Sequence, residues 1–173
     1  MLAAHIDAWL SELGLVPVDR AERDGATSWD LLLDGRRRRA LRITLILDPA
    51  VALVAWVHFA PPMTDGFRRT YRQLLRWNDE LPFAKFAISD DERPVLTLEE
   101  GVDGLDRDIV GTLVARVLAI TDMVQDPALD MIAELARSQA KLYALEPEPT
   151  GVALLERYSD ALTEFTENGT VSD

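Results

Sequence analysis

Cysteine is absent from all 173 residues, which excludes disulfides, a thiol nucleophile and thiolate metal ligation. Histidine is nearly as scarce. His5 and His58 are the whole supply, and no acid or serine motif stands beside either, so neither a two-histidine metal centre nor a Ser-His-Asp triad has support in the spacing. The motifs G-x-G-x-x-G, G-x-x-x-x-G-K-[ST], G-x-S-x-G and H-E-x-x-H are also missing, so the usual marks of dinucleotide, phosphate, acyl-transfer and zinc-protease chemistry are lacking. Long hydrophobic runs are lacking too. The longest uncharged stretch, residues 49–64, contains prolines toward both ends and is too short to span a bilayer as a helix.

Positive charge is in deficit. Lysine and arginine number 18 against 30 acidic residues, a net charge of −12, which repels nucleic acid and anionic membrane. Neither is expected as a partner. Between Thr121 and Asp173 eleven acidic residues face three basic ones, so the acidity gathers toward the C-terminal end. At the other end, His5, Asp7 and Glu12 interrupt the apolar residues in an amphipathic rather than a signal-peptide pattern, and a soluble cytoplasmic protein is the expectation.

What is present is periodicity. Ile6, Trp9, Leu10 and Leu13 share a helical face ahead of a stop at Gly14. Four strand patterns follow at 16–22, 28–33, 40–47 and 50–59, punctuated by Asp24-Gly25, Asp34-Gly35 and Asp48-Pro49. Leu41, Ile43, Leu45 and Leu47 alternate with Arg42, Thr44 and Ile46, and Leu53, Ala55, Val57 and Phe59 alternate with Val54, Trp56 and His58. One sheet face is therefore apolar and the other mixed.

A helix over 67–79 is predicted with Phe67, Tyr71, Leu74, Leu75 and Asn78 along one side. A hairpin of 84–89 and 94–99 follows it. Asp106 then N-caps a long apolar helix, with Leu105 and Val110 placed as a hydrophobic staple. The fold class is α+β: an antiparallel β-sheet flanked by helices, in the order α-β-β-β(-β)-α-β-β-α with a C-terminal helical extension. The expected organisation is one domain over 1–125, an additional helix at 126–145, a Pro/Glu linker at 146–151, and an amphipathic helix with a polar tail at 152–173.

Three charged groupings are candidate sites. Glu99, Glu100, Asp103, Asp106 and Asp108 lack calcium-loop order, and Asp90-Asp91-Glu92 form a solvated hairpin tip. No catalytic residue, cofactor or metal is expected. The run Arg36, Arg37, Arg38 and Arg39 is the most unusual feature. It reads most simply as the start of a strand at a solvated hairpin, and more sharply as one basic, anion-binding surface shared with Arg68, Arg72 and Arg76 of the next helix. That surface would take an acidic partner or the chain's own C-terminal helix, which would then act as a switch. Arg42, Thr44, Trp56 and His58 are the candidate protein-interaction surface on the mixed sheet face.

The stretch Leu74-Leu75-Arg76-Trp77-Asn78-Asp79-Glu80-Leu81-Pro82-Phe83-Ala84-Lys85-Phe86-Ala87-Ile88, together with Leu105-Asp106 leading into the apolar helix, resembles the YbjN-like family of bacterial proteins over residues 1–125. The resemblance implies the fold of type III secretion chaperones, a helix-flanked antiparallel sheet that often dimerises and binds other proteins. Family members carry the description of sensory transduction regulators, which names no chemistry. The functional expectation is a non-enzymatic, chaperone-like or regulatory protein-binding module, a homodimer with an unidentified protein partner. The alternative is a binder of, or enzyme acting on, an anionic small molecule through the arginines.

Overall fold

Period-two alternation becomes strand and period-3.6 patterning becomes helix throughout residues 2–63, 68–81, 83–124 and 150–163, which the computed structural model describes. In chain order the elements are α1 (Leu2–Glu12), β1 (Asp19–Arg23), β2 (Ala26–Leu33), β3 (Leu41–Asp48), β4 (Ala52–His58), α2 (Arg68–Glu80), β5 (Ala84–Ile88), β6 (Pro94–Gly101), α3 (Arg107–Met123) and α4 (Thr150–Arg157), then a 3-10 turn (Ser159–Leu162). The strands form one antiparallel sheet in the order β1-β2-β3-β4-β6-β5. The expected helix at 126–145, the linker and the polar tail lie outside the described residues, apart from the first residues of α4. None of the described helices is long and apolar enough to cross a membrane.

The apolar half of each alternation is buried on one face. Trp29, Leu31 and Leu33 of β2, the leucines and Ile43 of β3, Leu53, Ala55 and Val57 of β4, and Leu96 and Leu98 of β6 join the core beneath α3. Each fully covered Leu or Ile side chain contributes about 1.5–3 kcal/mol. Trp29 is wholly buried, and its indole N–H is satisfied by donating to Asp7 Oδ1 of α1 at 2.6 Å. α1 ends as expected at Gly14, where φ is +73° and Leu15 N–H donates to Leu10 O at 2.8 Å. At the start of α3, Asp106 Oδ1 accepts from Ile109 N–H at 2.8 Å, and Leu105 packs against the core that contains Val110.

α2 departs from its expected face. Thr70 and Leu74 are buried while Leu75 is 68% exposed, because α2 lies along the edge strand β5 and covers only a narrow stripe. Asn78 is also not an apolar-side residue. Its Nδ2 donates to Phe86 O at 3.0 Å and its Oδ1 accepts from Phe86 N–H at 2.5 Å, so one side chain occupies both backbone groups on the outer edge of β5.

The arginine run does not start a strand. Residues 34–40 form a loop between β2 and β3 that closes over the C-terminal end of α3. Arg38 is buried there, and its Nε, Nη1 and Nη2 donate to Thr121 O at 2.7 Å, Phe59 O at 3.1 Å and Val124 O at 2.9 Å. In return, the Asp122 carboxylate accepts the backbone N–H groups of Arg36, Arg37 and Arg38 at 2.6, 3.0 and 3.0 Å.

α4 docks on its own chain, against α3. Leu154, Leu155 and Leu162 are buried, the Tyr158 ring lies where a Cβ on Gly111 would stand, and Gly151 presses on the Asp34 carbonyl with no room for a methyl group. α3 is thus covered by the sheet on one side and by α1 and α4 on others, which is why its apolar surface is so wide.

Replacing Arg38 with Ala strips three carbonyls of a buried donor. The expected cost is about 3 kcal/mol, read in a denaturant melt or as a fall in Tm of roughly 10 °C. The exposed neighbour Arg37, changed to Ala, is expected to stay within about 0.5 kcal/mol of wild type.

Candidate functional site

Among the described residues, helices sit on one side of the sheet only, and no described helix covers the mixed face; toward its His58 end, Val95 is nonetheless buried. Its side chains are ordered by register into rows. Ser28, Ile46, Val54 and Glu99 form one row; Asp30, Thr44, Trp56, Thr97 and Lys85 form the next; Leu32 faces Arg42, and His58, Val95 and Ala87 continue the face beyond. The interaction candidates Arg42, Thr44, Trp56 and His58 are all on this one face, as the alternation requires.

At the polar end of the middle row, Asp30 is the organising group. Arg42 Nε donates to its Oδ2 at 3.1 Å, Arg42 Nη2 reaches the same oxygen, and Thr44 Oγ1 donates to Oδ1 at 2.6 Å. Burial, the largest single influence, pushes the Asp30 carboxyl up, but the hydrogen bonds from Thr44 and Arg42 outweigh it, and the pKa falls below the ordinary aspartate value. Asp30 was not singled out from sequence. The signal was there: a lone polar residue between Trp29 and Leu31 in an alternating strand.

The apolar centre is Trp56, half-buried, with the His58 ring edge-on at 4.3 Å between centroids and 71° between planes. His58 Nδ1 is buried and has no hydrogen-bond partner among the described residues. Burial is the main cause that lowers the His58 pKa; Arg93 adds to it, while Asp91 and the Pro94 backbone oppose it. At the rim, Lys85 Nζ and Glu99 Oε1 pair at 3.2 Å, and both are well exposed, so the pair contributes little to stability. The face thus presents a flat aromatic and aliphatic centre with fixed charges around it, the composition of an interface core and rim.

The arginines are divided between the β2–β3 loop and α2. Arg38 is withdrawn into the core contact described above, and Arg39 pairs with Asp34 at 3.1 Å. Arg36 and Arg37 are exposed on the β2–β3 loop. Arg68, Arg72 and Arg76 are exposed on α2, which packs on β5 at the far edge of the sheet. The loop and the helix are separated by β4 and β6, and α4 docks beside the loop rather than on α2.

Because the folded-state pKa of His58 lies below its ordinary 6.5, the unfolded chain binds more protons as pH falls through that value, and the fold loses stability. Tm is expected to drop from about pH 7.5 to about pH 5.5, above the range where the depressed carboxyls titrate. His58→Gln should flatten that slope; an unchanged slope removes His58 as its source.

No curated protein matches this chain in sequence. The family model described as "Putative bacterial sensory transduction regulator" matches residues 3–130, a span that contains all six strands, α2, α3, all of α1 but Leu2, and the whole mixed face. The chain belongs to the YbjN family.

Proposed function

We propose that this protein is a non-enzymatic regulatory module that acts in the cytoplasm as a homodimer and holds a protein partner on its bare sheet face, in a chaperone-like manner. The observation that carries this reading is the face itself: Trp56, Ile46 and Val54 stand half-buried in the middle of a sheet that no described helix covers, between Asp30–Arg42 on one side and Lys85–Glu99 on the other. A flat aromatic centre with a charged rim suits a protein surface better than a small molecule, which needs a concave pocket. The family's description as a regulator agrees with that class of role.

The test is to select displayed peptides on the wild-type protein and to measure them against Trp56→Ala. A central aromatic anchor is worth about 2 kcal/mol or more, so the variant is expected to bind at least roughly thirtyfold more weakly, with its far-UV circular dichroism unchanged. Peptides indifferent to Trp56 would move the site elsewhere, and loss of the fold would make Trp56 a core residue.

One observation favours a second reading, the binding of an anionic small molecule. Arg68, Arg69, Arg72 and Arg76 are exposed and engaged in no ion pair among the described residues. A thermal-shift screen of phosphate and polycarboxylates separates the readings. A ligand at a hundred times its Kd adds about 2.7 kcal/mol, several degrees in Tm, and no shift with any of them ends this alternative.

A further inference from the structure

The two edges of the sheet are finished differently. At β5 the Asn78 side chain takes both outward backbone groups of Phe86. At β1 no described strand or helix lies beyond the edge, and all five residues are exposed. Charges on such an edge ordinarily discourage pairing.

The order of those charges is unusual. The strand reads Asp19-Arg20-Ala21-Glu22-Arg23. Laid antiparallel against a copy of itself about Ala21, it sets Asp19 opposite Arg23 and Arg20 opposite Glu22, so every charged position meets the opposite sign. The pattern is complementary to its own copy and sets like charges against a strand of uniform sign.

The backbone agrees with the same register. Asp24 and Gly25 both have positive φ, +52° and +84°, which makes the β1–β2 connection a two-residue type I′ turn closed by the pair Arg23–Ala26. Hydrogen-bonded and non-bonded pairs alternate from there, so Ala21 directs its N–H and C=O toward Ser28 of β2, whereas Arg20 and Glu22 direct theirs to the outer edge, where the Arg20 N–H donates to Asp19 Oδ1 at 2.9 Å until a second strand displaces that carboxylate. In a copy centred on Ala21, Arg20 and Glu22 become the bonded pairs. Ala21 meets Ala21 at the close, non-bonded position, which a small side chain suits.

Asp19 and Arg23 take part in no ion pair among the described residues. Val16 and Val18, which lead into the strand, are 80% and 61% exposed, apolar surface on the same approach.

We propose that β1 is the self-association site: two protomers pair β1 to β1 about a two-fold axis at Ala21 and join their sheets into one. The proposal rests on the homodimer reading above and names its interface. It leaves both Trp56 faces uncovered and on the same continuous sheet, so that one elongated partner gains avidity by spanning the two.

The test uses the full chain in light scattering over a range of concentrations at low salt, where surface charge pairs are least screened. Wild type is expected to reach twice its 19.3 kDa mass. Asp19→Arg and Arg23→Glu each set like charges opposite one another twice per dimer, and each alone is expected to weaken association at least about tenfold. Their equimolar mixture restores opposite charges at those positions and is expected to recover the dimer. A dimeric wild type with unaffected variants, or a mixture that stays monomeric, overturns the β1 interface and leaves the homodimer reading standing. A monomeric wild type overturns both. Asp19→Arg removes only the exposed bond that Asp19 Oδ1 accepts from the adjacent Arg20 N–H, so both protomers are expected to stay folded, and coincident circular dichroism spectra check this.

Discussion

The contact on which the rest of the structure depends is the reciprocal lock between the β2–β3 loop and the end of α3. A helix C-terminus carries partial negative charge and unpaired carbonyls, and here Asp122 adds a full negative charge in the last turn. The loop answers both: the buried Arg38 guanidinium takes the carbonyls of Thr121 and Val124, and three successive backbone N–H groups take the Asp122 carboxylate. Because Arg38 also bonds Phe59 O at the end of β4, one side chain ties a loop, a strand end and a helix end together. The same loop supplies the Asp34 carbonyl against which α4 seats Gly151.

With α3 held over β4 and β6, α1 and α4 pack around it on the same side of the sheet. That one-sided layering has two consequences for function. The opposite face, which no described helix covers, carries an aromatic centre and a charged rim ordered by strand register. The sheet also has two edges to manage. At the β5 edge Asn78 takes both outward groups of Phe86 with one amide, while the β1 edge carries a self-complementary charge order. The proposed partner face and the proposed self-pairing edge draw on different residues, Trp56 and its neighbours on the one and Asp19 to Arg23 on the other.

Much of this was legible in the sequence because strand and helix periods are local. The alternation of Leu41 to Leu47 with Arg42, Thr44 and Ile46 fixed which residues share a face, and Asp106 with Leu105 marked the start of α3. The YbjN-like stretch around Asn78 pointed to the helix-to-hairpin corner that the structure contains. The failures also have a physical cause. A run of four arginines looks like a solvated face because local pattern carries no information about a cluster of carbonyls 21, 83 and 86 residues away. Leu75 looks like a core residue because helical spacing does not tell how wide a surface the helix will meet.

The sequence by itself determined the class of the fold, the core face of β3 and β4, the alternating residues Arg42, Thr44, Trp56 and His58 of the opposite face and the absence of thiol chemistry, since these follow from residue type and short-range period. Only the tertiary structure decided that Arg38 is a buried fastener while Arg68, Arg72 and Arg76 stay in water, that Asp30 organises Arg42 and Thr44, that α4 folds back onto α3, and that no described element lies beyond β1. Each of those outcomes depends on which distant groups the chain brings within hydrogen-bonding or packing distance. A local pattern sets what a residue offers; the packed chain sets what it meets.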